Sequence, residues 1–234
     1  MKKSVVLTVL ALAGLIVSQV SAATISGKIS YDGDVPEFKE IKMDADPICL
    51  AKHTSGVFPE TLVLGANKEL ANVIVRVKSG LAKKDYPAPS DSITIDQQGC
   101  QYKPHVFVAR VGQAIKVLNP DGTLHNVHAL SKVNAEFNMA MPQFRKEAEK
   151  IFDKEETEPF PFKCDVHPWM TAWCVVLSHP FYAVTGPDGQ FTIANLEAGT
   201  YEIEAWHEKL GAKTVSVTVA ADETKTADFT FSKP

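Results

Sequence analysis

Three observations predict an all-β fold. Apolar residues recur at every second position through most of the chain, turn chemistry punctuates these runs, and helical spacing occurs in one stretch only. Ile25, Ile29 and Tyr31 lead to the turn Asp32-Gly33, and Val73, Val75 and Val77 alternate with Ile74 and Arg76. Ile93 with Ile95, Val106 with Val108, and Ile115 with Val117 continue the pattern. It returns in Tyr201, Ile203 and Ala205, then Val215, Val217 and Val219, then Phe229 and Phe231. Asn119-Pro120-Asp121-Gly122, Pro187-Asp188-Gly189 and Ala198-Gly199-Thr200 separate the runs as turns. The exception is Gln143 to Phe152, where Phe144, Ala148, Ile151 and Phe152 have helical spacing. We read it as a strand or extended segment, because it runs into a β-type motif within a dozen residues.

Composition describes a folded chain: of 234 residues, 45% are hydrophobic and 22% charged. The apolar run Val5 to Val17, behind Lys2 and Lys3, is shorter than the roughly 20 residues a spanning helix needs. With Val20-Ser21-Ala22 after it, the run reads as a signal peptide over residues 1–22, cleaved after Ala22. Ala23 in place of Cys argues against a lipid anchor. The expectation is a periplasmic or secreted protein with no transmembrane segment after signal removal. Loss of Lys2 and Lys3 leaves 22 basic against 28 acidic residues, a net charge of −6 unsuited to nucleic acid.

The chemistry concentrates in Cys164-Asp-Val-His167-Pro168-Trp169-Met170, with His125 supplied from Asn119-Pro-Asp-Gly-Thr-Leu-His125-Asn126-Val127. Two imidazoles and a thiolate with a weak axial thioether describe a blue-copper electron-transfer site, and soft sulfur favours copper over zinc. A short loop stiffened by Pro168 would hold three of these groups nearly fixed. Haem attachment needs Cys-x-x-Cys-His, a Rieske cluster needs a Cys-x-His partner, and a thioredoxin site needs Cys-x-x-Cys; none occurs. A binuclear copper loop would carry two cysteines, and nothing in the sequence supports a cysteine nucleophile. The bland alternative is a chance match within a buried hairpin.

Export would place Cys49, Cys100, Cys164 and Cys174 in an oxidising compartment. With Cys164 assigned to metal, one bridge at most remains. Cys49 and Cys100 lie in polar, turn-rich stretches, whereas Cys174 sits in the apolar run Ala172 to Leu177, so the expected disulfide is Cys49 to Cys100.

The motif, its C-x2-H-x2-M spacing and the upstream Asn119…His125-Asn126-Val127 resemble the cupredoxins, closest to the amicyanin and pseudoazurin group, over residues 91–178. The resemblance implies a Greek-key β-sandwich holding one mononuclear copper on His125, Cys164, His167 and Met170. It implies that Asn126 ties the two ligand loops together and hydrogen-bonds toward the thiolate. It further implies that His167 lies under an apolar patch rimmed by Leu124, Pro168 and Trp169, where a redox partner docks. A c-type cytochrome or a dehydrogenase would suit that role. Trp169 reads equally well as a core aromatic. The function implied is single-electron transfer without catalysis, and the alternative is a copper-binding or delivery protein or a surface binding module.

Other residues carry weaker expectations. His128, three residues past His125, faces the opposite side of a strand and is the reserve ligand. Met139 and Met141 read as packing before a second soft-metal site. His53, His105, His179 and His207 default to surface or core roles, and Asp44 and Asp46 to a solvated turn.

The flanks resemble a second sandwich. Thr185-Gly-Pro-Asp-Gly-Gln-Phe-Thr-Ile-Ala-Asn-Leu-Glu-Ala-Gly-Thr-Tyr-Glu202 is similar to the second half of a carboxypeptidase regulatory-like, transthyretin-like domain. Ile25 to Gly33 and Ala71 to Val77 are similar to its first half. The layout this implies has residues 23–90 and 179–234 as one sandwich interrupted by the cupredoxin at 91–178, with Leu81 to Ser90 as linker. Three units in sequence is the competing layout.

Overall fold

A computed structural model describes residues 22–233. The expected leader is residues 1–22, of which 1–21 lie outside the described residues. Among the described residues no helix is long and apolar enough to cross a membrane.

The described residues begin with β1 (Ala23–Tyr31), a five-residue helix α1 (Pro47–Ala51) and β2 (Ile74–Ser79). The middle comprises β3 (Ile93–Asp96), β4 (Val106–Arg110), β5 (Ala114–Leu118), β6 (His125–Ala129), β7 (Phe137–Met141), β8 (Glu147–Ile151), β9 (Glu156–Lys163) and β10 (Thr171–Leu177). The last part is β11 (Tyr182–Val184), β12 (Gln190–Leu196), β13 (Gly199–His207), β14 (Gly211–Val219), β15 (Thr224–Thr226) and β16 (Phe229–Phe231).

Pairing groups these strands by region. The middle strands form the sheets β4-β10-β9-β6-β7 and β3-β5-β8. They enclose a core that includes Ile95, Phe107, Val117, Phe160, Phe162 and Cys174. Strands from both ends of the chain combine in the other two sheets, β12-β1-β15, with β16 also on β1, and β11-β2-β13-β14. Ile25, Val75, Phe191, Ile203 and Phe231 lie in their core.

β2 explains how the two halves meet. Val75 and Val77 enter the core of the terminal sheets, while Ile74 faces the other way and joins Val106, Val108, Val175 and Leu177 in a third cluster. Trp173 and Trp206 pack at this junction in a tilted pair with ring centroids 5.4 Å apart. A strand apolar on both faces belongs between two layers. Arg76, also buried, pairs with Glu204 at 2.6 Å and so is not left as a lone charge.

The helical spacing of Gln143 to Phe152 does not make a helix. β8 pairs antiparallel with β5, placing Ala148 opposite Val117. Ala148 and Phe152 are buried, while Phe144 is 84% exposed, so no continuous apolar stripe exists for a helix to bury. Helix α1 is the converse case, since its residues read as a turn in the sequence. Asp46 caps it by accepting from Ile48 N at 2.8 Å, and Pro47 begins it.

Candidate metal centre

β9 and β10 are antiparallel neighbours joined by residues 164–170. This loop closes on itself: Cys164 N donates to Met170 O at 3.2 Å, and Met170 N donates to His167 O at 2.9 Å. β6, beside β9, brings His125 to the same end of the sheet. Donor atoms of His125, Cys164 and His167 thereby lie within 4.8 Å of one another, all buried. The Nδ1 atoms of the two imidazoles are 2.9 Å apart, and Cys164 Sγ is 3.7 Å from His167 Nδ1. Met170, 1% exposed, shares the core cluster with Cys164.

Both imidazoles are held from behind. His125 Nε2 donates to Asp121 Oδ2 at 3.0 Å, and His167 Nε2 donates to Asp46 Oδ2 at 3.0 Å. A carboxylate on one ring nitrogen fixes the tautomer and leaves a lone pair on the other. Two Nδ1 lone pairs facing each other beside a sulfur atom repel unless a cation or proton lies between them. Buried imidazole and thiolate donors in this pattern fit a soft or borderline transition metal.

Asp121 is itself built in. Gly99 and Cys100 both have positive φ, 70° and 53°, so their successive N–H groups converge on its carboxylate at 3.1 and 2.7 Å. Lys52 Nζ completes the shell at 2.8 Å. Burial opposes the charge on Asp121, but hydrogen bonds from His125, Lys52 and these backbone groups hold its pKa well below the usual carboxylate range. Burial likewise works against Asp46, yet Thr123, His167 and the N–H groups of Ile48 and Cys49 lower it to about 2. Burial would raise the Cys164 thiol, but His125 and the backbone of Asn126, His167 and Val166 bring it below its ordinary value. These contacts shift Cys164 toward the thiolate, the form that binds metal.

Several sequence expectations need correction here. The side chain of Asn126 does tie the two loops, since its Oδ1 accepts from Asp165 N at 2.7 Å. Its Nδ2 donates to Asn138 and Asp165, so hydrogen bonding toward the thiolate comes from its backbone instead. Leu124 is 43% exposed and Pro168 is exposed. His167, however, is 2% exposed and is covered by α1, with Cys49 Sγ 3.6 Å from its Nε2. Trp169 is half-buried: its indole donates to Cys100 O at 3.0 Å and packs on the His167 ring at 5.0 Å. Asp46 does not lie in a solvated turn; its carboxylate reaches inward, while Asp44 is exposed.

The cysteines pair as expected. Cys49 and Cys100 form a disulfide, and Cys164 and Cys174 are free and buried. His128 faces Glu136 and Asp165 on the outer side of β6. Met139 and Met141 are buried packing residues. His53 bonds Gly99 O at 2.7 Å, His105 bonds Glu208, and His179 and His207 are buried.

Residues 175–232 match the carboxypeptidase regulatory-like domain family. Comparison with curated proteins gives no match. Among solved structures, the chain is similar to the Cu-containing nitrite reductase (NirK) from Thermus scotoductus SA-01, at 17% identity and TM-score 0.35, covering 44% of this chain and 26% of that one. It is similar to a mutant of amicyanin, Cu(I), at 20% identity and TM-score 0.32, covering 44% of this chain and 97% of that one. A purple cupredoxin from Nitrosopumilus maritimus is 20% identical with TM-score 0.30, over 36% of this chain and 99% of that one. The chain thus spans about a quarter of the nitrite reductase and nearly all of the two smaller proteins. The chain is all-β, and its match to the carboxypeptidase regulatory-like family is confined to residues 175–232.

Proposed function

We propose that this is an exported type 1 copper protein that carries single electrons between redox partners and performs no catalysis. Copper would be held by His125, Cys164, His167 and Met170. The observation that carries this reading is the convergence of two buried Nδ1 atoms and one buried Sγ, each imidazole anchored through its other nitrogen. Bound copper supplies a one-electron couple. The chain's own part is to exclude water, ease ionisation of the thiol, and fix the donors so that little moves when the charge changes. The Cys49–Cys100 disulfide supports an oxidising compartment, periplasmic or extracellular. A c-type cytochrome or dehydrogenase is the class of partner. The pairing of β1 and β2 with β11 to β16 supports an interrupted sandwich, residues 23–90 with 179–234, around a cupredoxin at 91–178.

One observation favours the second reading, copper binding and delivery. The edge of His167 that passes electrons in cupredoxins is covered here by α1. Copper addition followed by a visible spectrum separates the two. An electron carrier develops intense thiolate-to-Cu(II) absorption and reversible voltammetry. A delivery protein stays colourless, binds Cu(I) and gives it up readily to a chelator.

A further inference from the structure

The residues between β1 and β2 do more than connect two strands. Met43, Cys49 and Val57 leave the terminal sheets and pack into the core of the middle sandwich. The disulfide to Cys100 fixes α1 there, across 51 residues of sequence. The two oxygens of Asp46 divide their work. Oδ1 caps α1 through Ile48 N at 2.8 Å and Cys49 N at 3.3 Å. Oδ2 accepts from His167 Nε2 at 3.0 Å and from Thr123 Oγ1 at 2.7 Å.

We propose that Asp46 is a positioning residue for the metal centre: a carboxylate from outside the middle sandwich holds the Nε2–H tautomer of His167, so that Nδ1 presents its lone pair beside His125 and Cys164. This rests on the metal reading above. In the middle sandwich Asp121 performs the same service for His125, but from only four residues away. His167 receives its anchor from 121 residues away. The centre is therefore complete only when the disulfide-fixed segment is seated.

Two substitutions separate this role from helix capping. Asp46→Ser keeps an oxygen that caps α1 but is too short to reach His167. Asp46→Asn places an amide where one oxygen was. If its carbonyl caps the helix, its N–H groups face Nε2, which must then accept, moving the ring proton to Nδ1 inside the centre.

The test has a metal-free arm and a copper arm. In 15N-labelled apoprotein, ring nitrogen shifts at neutral pH should report Nε2–H for His167 in the native protein. They should report a shift toward Nδ1–H in Asp46→Asn and a mixture with faster ring-proton exchange in Asp46→Ser. In the copper-loaded protein, both variants should lose affinity in competition with a chelator by roughly 10–100-fold, the usual cost of losing an outer hydrogen-bond partner. An unchanged Nε2–H signal in both variants overturns the proposal. So does an altered ring with copper affinity equal to the native protein's. A native protein that takes up no copper overturns the metal reading instead, and the apoprotein spectra then decide whether Asp46 sets the tautomer.

Discussion

Two pairs of buried histidines, one in the terminal sandwich and one at the candidate centre, are held in different ways. In the terminal sandwich, His179 Nδ1 accepts from Phe181 N and His207 Nδ1 accepts from Lys209 N, each at 3.2 Å. His207 Nε2 has no hydrogen-bond partner among the described residues. Burial lowers both rings to about 4, so they pack as neutral aromatics at neutral pH. At the candidate centre the two rings divide: burial of His125 is outweighed by Asp121 and Cys164, which raise it, whereas burial lowers His167 against the pull of Asp46. Burial therefore does not make a site. A carboxylate behind one nitrogen and a sulfur in front of the other does.

The sharpest way to break this contrast is to remove the sulfur. Cys164→Ser should abolish charge-transfer absorption and weaken copper binding beyond the roughly 10–100-fold typical of an outer-shell loss. Circular dichroism should remain that of a β-protein, because the new hydroxyl costs only about 1–3 kcal/mol if unsatisfied. Blue colour surviving this change would mean that the ligands are elsewhere.

Replacing Cys49 and Cys100 together by Ser asks whether the centre depends on the tethered segment. Chain entropy for a bridge closing 51 residues gives a loss of about 4 kcal/mol, readable by denaturant titration. Copper release to a chelator should accelerate as well, since the anchor of His167 rides on α1. Unaltered release at lower stability would show that the segment seats itself without the bridge.

The unequal visibility of these features in the sequence has a physical cause. The convergence of Cys164 and His167 is legible because one tight loop carries both, and their spacing is the signal. The period-two runs mark the sheets because each strand is buried on at least one face. Asp46 is illegible, as its partner lies 121 residues away and an Asp-Pro pair reads equally well as a turn or a helix start. Asp121 sits in the visible turn Asn119-Pro-Asp-Gly, and His125 four residues on is the available hint of a pair. The helical spacing near Phe144 misleads for the opposite reason. Spacing records a face only where that face is buried, and Phe144 is not.

The terminal histidines offer a pH test that leaves the metal centre alone. Their folded pKa values near 4 lie below the ordinary 6.5, so between these limits the unfolded chain binds more protons. Stability present above pH 6.5 should therefore fall as pH drops toward 4, by about 1.4 kcal/mol per unit per histidine. Denaturant midpoints of His207→Gln should show a shallower slope over that window. An unchanged slope would mean that His207 is not held neutral by burial.

The smallest expected effect concerns Met170, the proposed fourth donor. Met170 is buried at the end of the loop just before β10, and its backbone closes that loop through both Cys164 and His167. Those bonds are indifferent to the side chain, so Met170→Leu, a swap of similar volume, should cost less than about 1.5 kcal/mol. The thiolate and imidazoles would stay in place and the colour with them. A thioether from Met170 would add electron density to bound copper, and losing it should move the reduction potential measured by voltammetry. A potential unchanged by the substitution would make Met170 a packing residue and leave a three-donor centre, in which His125, Cys164 and His167 alone set the copper chemistry.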